Sequence, residues 1–431
     1  MASPGSRPPD PRSRPVRPPG HLSAGDRARR RQVIRRRRAV TGAVFLALIV
    51  AVVVTVTSTG SGASAKRSAA STAASRRQAH KGTAHTVRKA WTPASWVASL
   101  EAAAKGKPGY LQPGSNPSVL PGPVLIADRN NNRLLLVSPK GQLLWQFPTP
   151  GHPLPGPFRM PDDSFFSPHG KHILATQESQ ATISEISLKT DQIVWHYGHP
   201  GVAGSTPGYL HNPDDAMVLP NGNVLSADIK NCRLLYISTK TTSLLHIYGM
   251  TDPYCYHQPP LRFGSPNGMF PLTNGNWLVT EINGDWVDEM TPAGKILWST
   301  HPPGIQYPSD TNEVRPGVFL VAAYTNPGVI EEFNSQGQLL WRYAPTGKNA
   351  LDEPSLAMPL PNGDILANDD YNDRVIVIDP HTNKIVWQYG VTKVPGTKPG
   401  YLHKPDGVDL APPYSLTMTH ASTMGIPPFK G

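Results

Sequence analysis

The stretch from Pro354 to Gly390, PSLAMPLPNGDILANDDYNDRVIVIDPHTNKIVWQYG, constrains this chain more than any other. Four short apolar runs are separated by turn chemistry. Asn362-Gly363 predicts a two-residue hairpin whose central positions both take positive φ. The polar break Asp369 to Asp373 follows, then His381-Thr382-Asn383, and the last run carries Trp387. Three consecutive hairpins make a four-stranded meander. One such sheet cannot bury both its faces, so copies must pack on one another.

Copies are present. Asp162 to Gly198, Pro213 to Gly249, Pro266 to Thr300 and Pro308 to Ala344 repeat the pattern, and Pro123 to Phe147 is an incomplete copy that begins at its second strand. Asn221-Gly222 and Asn274-Gly275 match Asn362-Gly363. Asp128-Arg129-Asn130 and Asp228-Ile229-Lys230 match Asp369-Asp370-Tyr371, where Asp and Asn are expected to bond their own backbone. Trp145, Trp195, Trp298, Trp341 and Trp387 fall in the outermost strands, with His246-Ile247-Tyr248-Gly249 in the third copy, and suit packing between sheets. A spacing of ~43–52 residues is that of propeller blades. Near the end of the chain, Pro399 to Leu410 repeats Pro207 to Val218, then stops after one strand. Gly407 to Ala411 is therefore expected to complete the first blade and close the ring, which also removes sheet edges. The competing segment, Pro108 to Leu120, is crowded by Pro113 and Pro117, with Pro121 and Pro123 following, and proline is poorly tolerated in a paired strand.

The fold class expected is all-β: a six-bladed β-propeller of four-stranded antiparallel blades, preceded by a single transmembrane helix. Ala39 to Ser58 is a run of uncharged residues long enough, at ~1.5 Å per residue, to cross a ~30 Å hydrocarbon core. Arg27 to Arg31 and Arg35 to Arg38 precede it, so the N-terminus is expected in the cytoplasm and the propeller outside the cell membrane. A cleaved signal ending at Ala63-Ser64-Ala65 is the alternative. Residues 1–38 read as a disordered basic tail, 59–106 as a flexible Ser/Ala-rich stalk with a short helix possible over Trp91 to Ala104, 107–413 as the propeller and 414–431 as a tail. The net charge of +11 is concentrated at the N-terminus. Residues 1–38 carry +10 and 59–89 carry +7, which leaves 90–431 at −6 and argues against nucleic acid as a partner.

The half-motif Asn212 to Ser238, NPDDAMVLPNGNVLSADIKNCRLLYIS, resembles an NHL repeat. Blade tails such as IDPHTNKIVWQYG resemble pyrroloquinoline-quinone-like propellers and are similar to bacterial arylsulfotransferase-type propellers. The resemblance covers roughly residues 107–413 and implies the fold; such propellers serve as sensors, scaffolds and enzymes. A bound quinone is disfavoured, because that class carries vicinal cysteines and Cys232 and Cys255 are separated. Arylsulfotransferase-type enzymes use a channel histidine as nucleophile, which makes His211, His257 and His403 catalytic candidates, with Arg262 and Arg315 as anion-binding partners. The recurrence of Tyr-Leu-His at His211 and His403 argues instead for a structural loop.

Polar residues collect where first strands begin and second strands end. Asp162-Asp163, Asp214-Asp215, Asn267, Asp310, Asn312, Ser355 and Asp406 mark the entries. Asp128, Glu178, Asp228, Glu281 and Asp369-Asp370 mark the exits. Several are expected to line the channel mouth. A ring of such oxygens suits Ca²⁺, with Asp163, Asp215, Asn267, Asn312 and Asp406 as candidate ligands. The same residues also serve turns without metal. Cys232 and Cys255, both expected on one face outside the membrane, predict a disulfide. The fourth copy departs most, since Trp286 stands where Arg133, Arg233 and Arg374 stand elsewhere, and a repeat that breaks its own pattern is a candidate site. The reading is an extracytoplasmic module that binds or senses an unknown ligand or protein. The alternative is an enzyme at the channel mouth, acting through histidine sulfotransfer or calcium-assisted hydrolysis.

Overall fold

The computed structural model describes residues 91–417 except 153, 155 and 253. Residues 39–58, the basic tail and most of the stalk lie outside the described residues, as do 418–431. Among the described residues no helix is long and apolar enough to cross a membrane.

Six four-stranded antiparallel sheets form the blades. Within each, the apolar runs of the repeat become strands; the innermost strands of the first to sixth blades contact one another in succession, and Ile365–Asp369 of the sixth blade meets Pro405–Leu410 of the first to close the ring. The first blade is built as expected from both ends of the domain. Pro405–Leu410 pairs antiparallel with Val124–Asp128, which pairs in turn with Arg133–Val137. The proline-rich segment before it runs outside the ring. Leu111 bridges Tyr389, and the Gln112 and Asn116 amides donate to Gln388 and Val386, which covers the outer edge of the sixth blade.

The Asn-Gly turns differ from expectation. Only Gly222, Gly275 and Gly363 take positive φ, at 83°, 86° and 89°. The amide of Gly222 donates to Leu219 O and the amide of Leu219 to Asn223 O, so the connection is a longer turn in which glycine alone is left-handed. The stretch 93–104, inside the segment read as stalk, is helix α1 (Pro93–Ala104). Thr92 and Ser95 exchange side-chain and backbone hydrogen bonds at its start, with Pro93 in the first turn. Gln142 Nε2 donates to Ala104 O and Lys107 O at its end, and Trp96 meets Trp145 edge-on at 5.9 Å.

Four of the five outer tryptophans hydrogen-bond from blade to blade, while Trp298 Nε1 donates to Glu289 of its own blade. Trp145 Nε1 donates to Asp191, Trp195 Nε1 to Thr242, Trp341 Nε1 to Asn383 and Trp387 Nε1 to Pro139 O, each in the following blade. Tyr248 does the same for the third blade through Pro292 O. The ring therefore rests on indole and phenol bridges as well as apolar burial.

Candidate functional site

Five innermost strands begin with a proline, at Pro161, Pro213, Pro266, Pro308 and Pro405, and in the sixth blade Pro354 stands three residues before the strand Ala357–Pro359. In those five the register slips by one residue just after it, for example between Pro161 and Ser164 opposite Gln177 and Ala175. In a regular strand the next two side chains would point to opposite faces; a bulge re-aims them. The first of the two is Asp162, Asp214, Asn267, Ser309, Ser355 or Asp406, and all six line a cavity of about 270 Å³ at the channel mouth. The second is Asp163, Asp215, Gly268, Asp310, Leu356 or Gly407, one layer deeper.

The deeper layer is acidic and sealed from below. Carboxylate oxygens of Asp163 and Asp310 in this layer and of Asp214, which reaches them from the mouth, lie within 4.8 Å of one another, and all three residues are buried. Asp163 Oδ1, Asp215 Oδ1 and both Asp310 oxygens have no hydrogen-bond donor, nor does Asn312 Oδ1. Gly268 and Gly407 make the room: a Cβ at Gly268 would sit 2.6 Å from Asp310 Oδ1, and one at Gly407 2.8 Å from Asp163 Oδ1. Two residues further along the strands, Phe165, Met217, Phe270 and Met358 share one buried cluster. Phe165 and Phe270, from the second and fourth blades, touch at 5.7 Å and so meet across the channel axis. The acids thus stand on an apolar floor, where unpaired charge is most expensive.

Above them, Arg129 is the one cationic side chain among the residues lining the mouth. It pairs with Asp406 and Glu178 and lies 3.6 Å from Asp162 Oδ1. These carboxylates, Asp162 foremost, raise its pKa above the ordinary value. Asp406 is the exception among the acids: burial pushes its carboxyl up, but Arg129 and neighbouring donors outweigh that and hold it below the usual value. Burial first, then the surrounding carboxylates, pushes Asp163, Asp214, Asp310 and Asp370 well above it. Asp215 is pushed up to about 7 by burial. Asp162 is raised by burial despite Arg129. Tyr307, Tyr324 and Tyr371 complete the wall, and burial together with Asp214 pushes Tyr307 up to about 12.

Of the sequence candidates for metal, Asp163 and Asp215 belong to the deep layer, while Asn267 lines the mouth and donates to Ser309 Oγ at 3.0 Å. Asn312 donates to Ala357 O and keeps its oxygen free. Asp406 is engaged by Arg129. Asp214 and Asp310, noted at strand entries but left out of that ligand set, stand with Asp163. The exits need correction. Asp128, Asp228 and Asp369 do not line the mouth; their Oδ2 atoms take Arg133, Arg233 and Arg374 Nε at 2.6, 2.8 and 2.7 Å. Nor do they bond their own backbone. Their Oδ1 atoms accept the amides of His403, His211 and Asp352 from the connectors between blades. The residue after each of them points to the mouth instead: Arg129, Ile229 and Asp370, with Glu178 and Tyr324 at the equivalent places. Sequence alignment of the repeats contains this column, but only the short 3₁₀ turn that follows each strand shows which of two neighbours faces in.

The catalytic candidates are not brought together. His211 and His403 sit in equivalent connectors, with His403 Nε2 3.3 Å from Asn130 Nδ2. Arg262 pairs with Asp252 and stacks over Tyr256, its Cζ 4.1 Å from the ring centre. Arg315 lies at the far end of the strand that starts at Pro308, 3.7 Å from Glu332. His257 stands 3.1 Å from Glu281 in the fourth blade. Cys232 and Cys255 form a disulfide with their Cα atoms 5.0 Å apart.

Fold and site together define a six-bladed propeller with an acidic channel mouth. Neither a family model nor a curated protein sequence matches the chain. Among solved structures it is similar to a protein of unknown function from Bacteroides caccae, with 18% identity and a TM-score of 0.47 over 67% of this chain and 98% of that one. Similarity extends to a streptogramin B lyase, with 17% identity and a TM-score of 0.40 over 54% and 68%. The nidogen/laminin complex gives 14% identity and a TM-score of 0.46 over 67% and 98%.

Proposed function

We propose that this propeller is a binding module that holds a hard divalent cation, calcium, in the deep acidic layer of its channel and uses it to capture a small oxygen-bearing ligand at the mouth. One observation carries the reading: buried carboxylate oxygens of Asp163, Asp215 and Asp310 converge without donors on an apolar floor. Buried charge of one sign needs a partner, and Ca²⁺ takes ~6–8 oxygens. Asp163, Asp214, Asp215 and Asp310 would hold the ion, with Asn312 Oδ1 in reserve. Above it, Arg129 offers an anchor for an anionic group and the tyrosines offer hydroxyls and ring faces. Display outside the cell from a membrane segment over 39–58 belongs to the same proposal.

Thermal unfolding of the chelator-treated full chain tests it. Millimolar calcium is expected to raise the Tm, since a ligand at 100 times its Kd stabilises by about 2.7 kcal/mol. Asp163→Asn with Asp310→Asn is expected to remove the rise. An unchanged Tm in the unaltered protein would sink the proposal. Sulfotransfer through histidine gains no support, because no histidine is among the residues lining the mouth. Incubation with an aryl sulfate and a phenol acceptor is expected to give no transfer.

A further inference from the structure

In the first, third and sixth blades the carboxylate that ends the second strand is neutralised by the arginine that starts the third: Asp128 by Arg133, Asp228 by Arg233, Asp369 by Arg374. The second blade has lost both members of the pair, with Gln177 and Thr182 there, and the fifth has Ala323 and Val329. The fifth blade does bury Glu331 two residues after Val329, but supplies Arg342 at 2.8 Å. Charge is balanced in each case. The fourth blade alone breaks the balance. It keeps the acid as Glu281, replaces the arginine with Trp286, and adds Asp288 two residues on.

What stands in place of the guanidinium is the imidazole of His257. Its Nδ1 lies 3.1 Å from Glu281 Oε2 and 3.9 Å from Asp288 Oδ2, yet makes no hydrogen bond. Glu281 Oε2 takes the Gly264 amide and leaves Oε1 without a donor. Asp288 is fully buried, and neither of its oxygens has a donor. One ligand atom from each of the three residues falls within a 4.8 Å cluster. His257 is held in place from two sides. Trp286 stacks on it at 4.2 Å with the ring planes 12° apart, and the connector carrying it is pinned two residues upstream by the Cys232–Cys255 disulfide. Its side chain is 18% exposed, which leaves a path for an ion.

We infer that the fourth blade carries a second metal site, separate from the channel, in which His257 Nδ1, Glu281 and Asp288 bind a divalent transition metal in the place where other blades carry an arginine. One imidazole with two carboxylates is borderline-hard chemistry that suits Zn²⁺, which binds such nitrogens and oxygens at ~2.0–2.2 Å and leaves a fourth position to water or a ligand. This inference does not depend on the channel proposal. Its ligands come from different elements.

Zinc titration of the chelator-treated full chain, followed by calorimetry in the presence of saturating calcium, tests it. The unaltered protein is expected to bind one equivalent with a Kd below about 10 μM. Asp288→Asn, which preserves shape, is expected to weaken binding at least ~10-fold. Trp286→Arg, which restores the guanidinium of the other blades, is expected to abolish it, and Asp163→Asn in the channel to leave it unchanged. Cobalt provides a readout on the unaltered chain: visible absorption from nitrogen and oxygen ligands and quenching of Trp286 fluorescence. No equivalent bound below that limit, no cobalt bands, or an Asp288→Asn variant that binds like the parent would overturn the inference. The first two outcomes would mean that Glu281 and Asp288 share a proton instead.

Discussion

Gly268 shows how a missing side chain shapes the channel. Its place in the fourth blade corresponds to Asp163, Asp215 and Asp310 in other blades, and a methyl group there would stand 2.6 Å from Asp310 Oδ1 and 3.1 Å from Thr280 Oγ1. Gly268→Ala is expected to push Asp310 away from Asp163 and Asp214 and to lower calcium affinity at least ~10-fold, read by calorimetry, while far-ultraviolet circular dichroism stays unchanged. Unaltered affinity would mean that Asp310 is not a ligand. At this scale the sequence showed the acids but not their partners. Asp162-Asp163 and Asp214-Asp215 were visible as pairs at strand entries, whereas the bulge that turns both members inward depends on pairing across the sheet. Asp128, Asp228 and Asp369 looked equally suitable for the mouth. Their arginines, five residues on, decide otherwise.

Among the elements, the strands were legible because apolar runs and an outer aromatic recur from copy to copy and the Asn-Gly turn recurs in three of them, so each copy corrects the reading of the others. Helix α1 occurs once and had only its own residues to announce it. Its Thr92 cap and Pro93 are good start signals, but its anchorage comes from Gln142 and Trp145 in the first blade. Trp96→Ala removes the apolar contact and leaves the cap intact. Amide hydrogen exchange over Pro93–Ala104 is expected to rise to near that of an unprotected peptide, with blade strands unchanged, because an isolated helix shorter than ~12–15 residues is marginal in water. Retained protection in the helix would show that its end contacts suffice.

For the whole molecule, buried acids make stability depend on pH in an unusual direction. Burial pushes Asp215 and Asp409 up to about 7 and holds Asp163, Asp214 and Asp310 well above the ordinary value. Unfolded aspartates lose their protons near pH ~3.9. The folded state therefore binds more protons than the unfolded one between these values. The stability these groups contribute is complete below the unfolded value and is lost as pH climbs through about 7. The Tm of the metal-free protein is expected to fall from pH 5 to pH 8, and calcium to restore more of it at pH 8 than at pH 5, because the ion replaces protons. A metal-free Tm that rises over that range would contradict the assignment. Ring closure itself was readable from Pro399 to Leu410, since a repeat that stops after one strand needs a partner elsewhere.

That closing strand sets an order in time. Pro405–Leu410 is among the last segments of the domain to be synthesised, and it pairs with Val124–Asp128, among the first. Until it arrives the first blade has an open edge, and the contact spans nearly the whole domain, the kind of non-local pairing that forms late. The same strand delivers Asp406 to Arg129. The mouth is therefore assembled only once the whole propeller has been synthesised, and a ribosome that stops before this strand releases a product with five whole blades, an unshielded edge and no completed site.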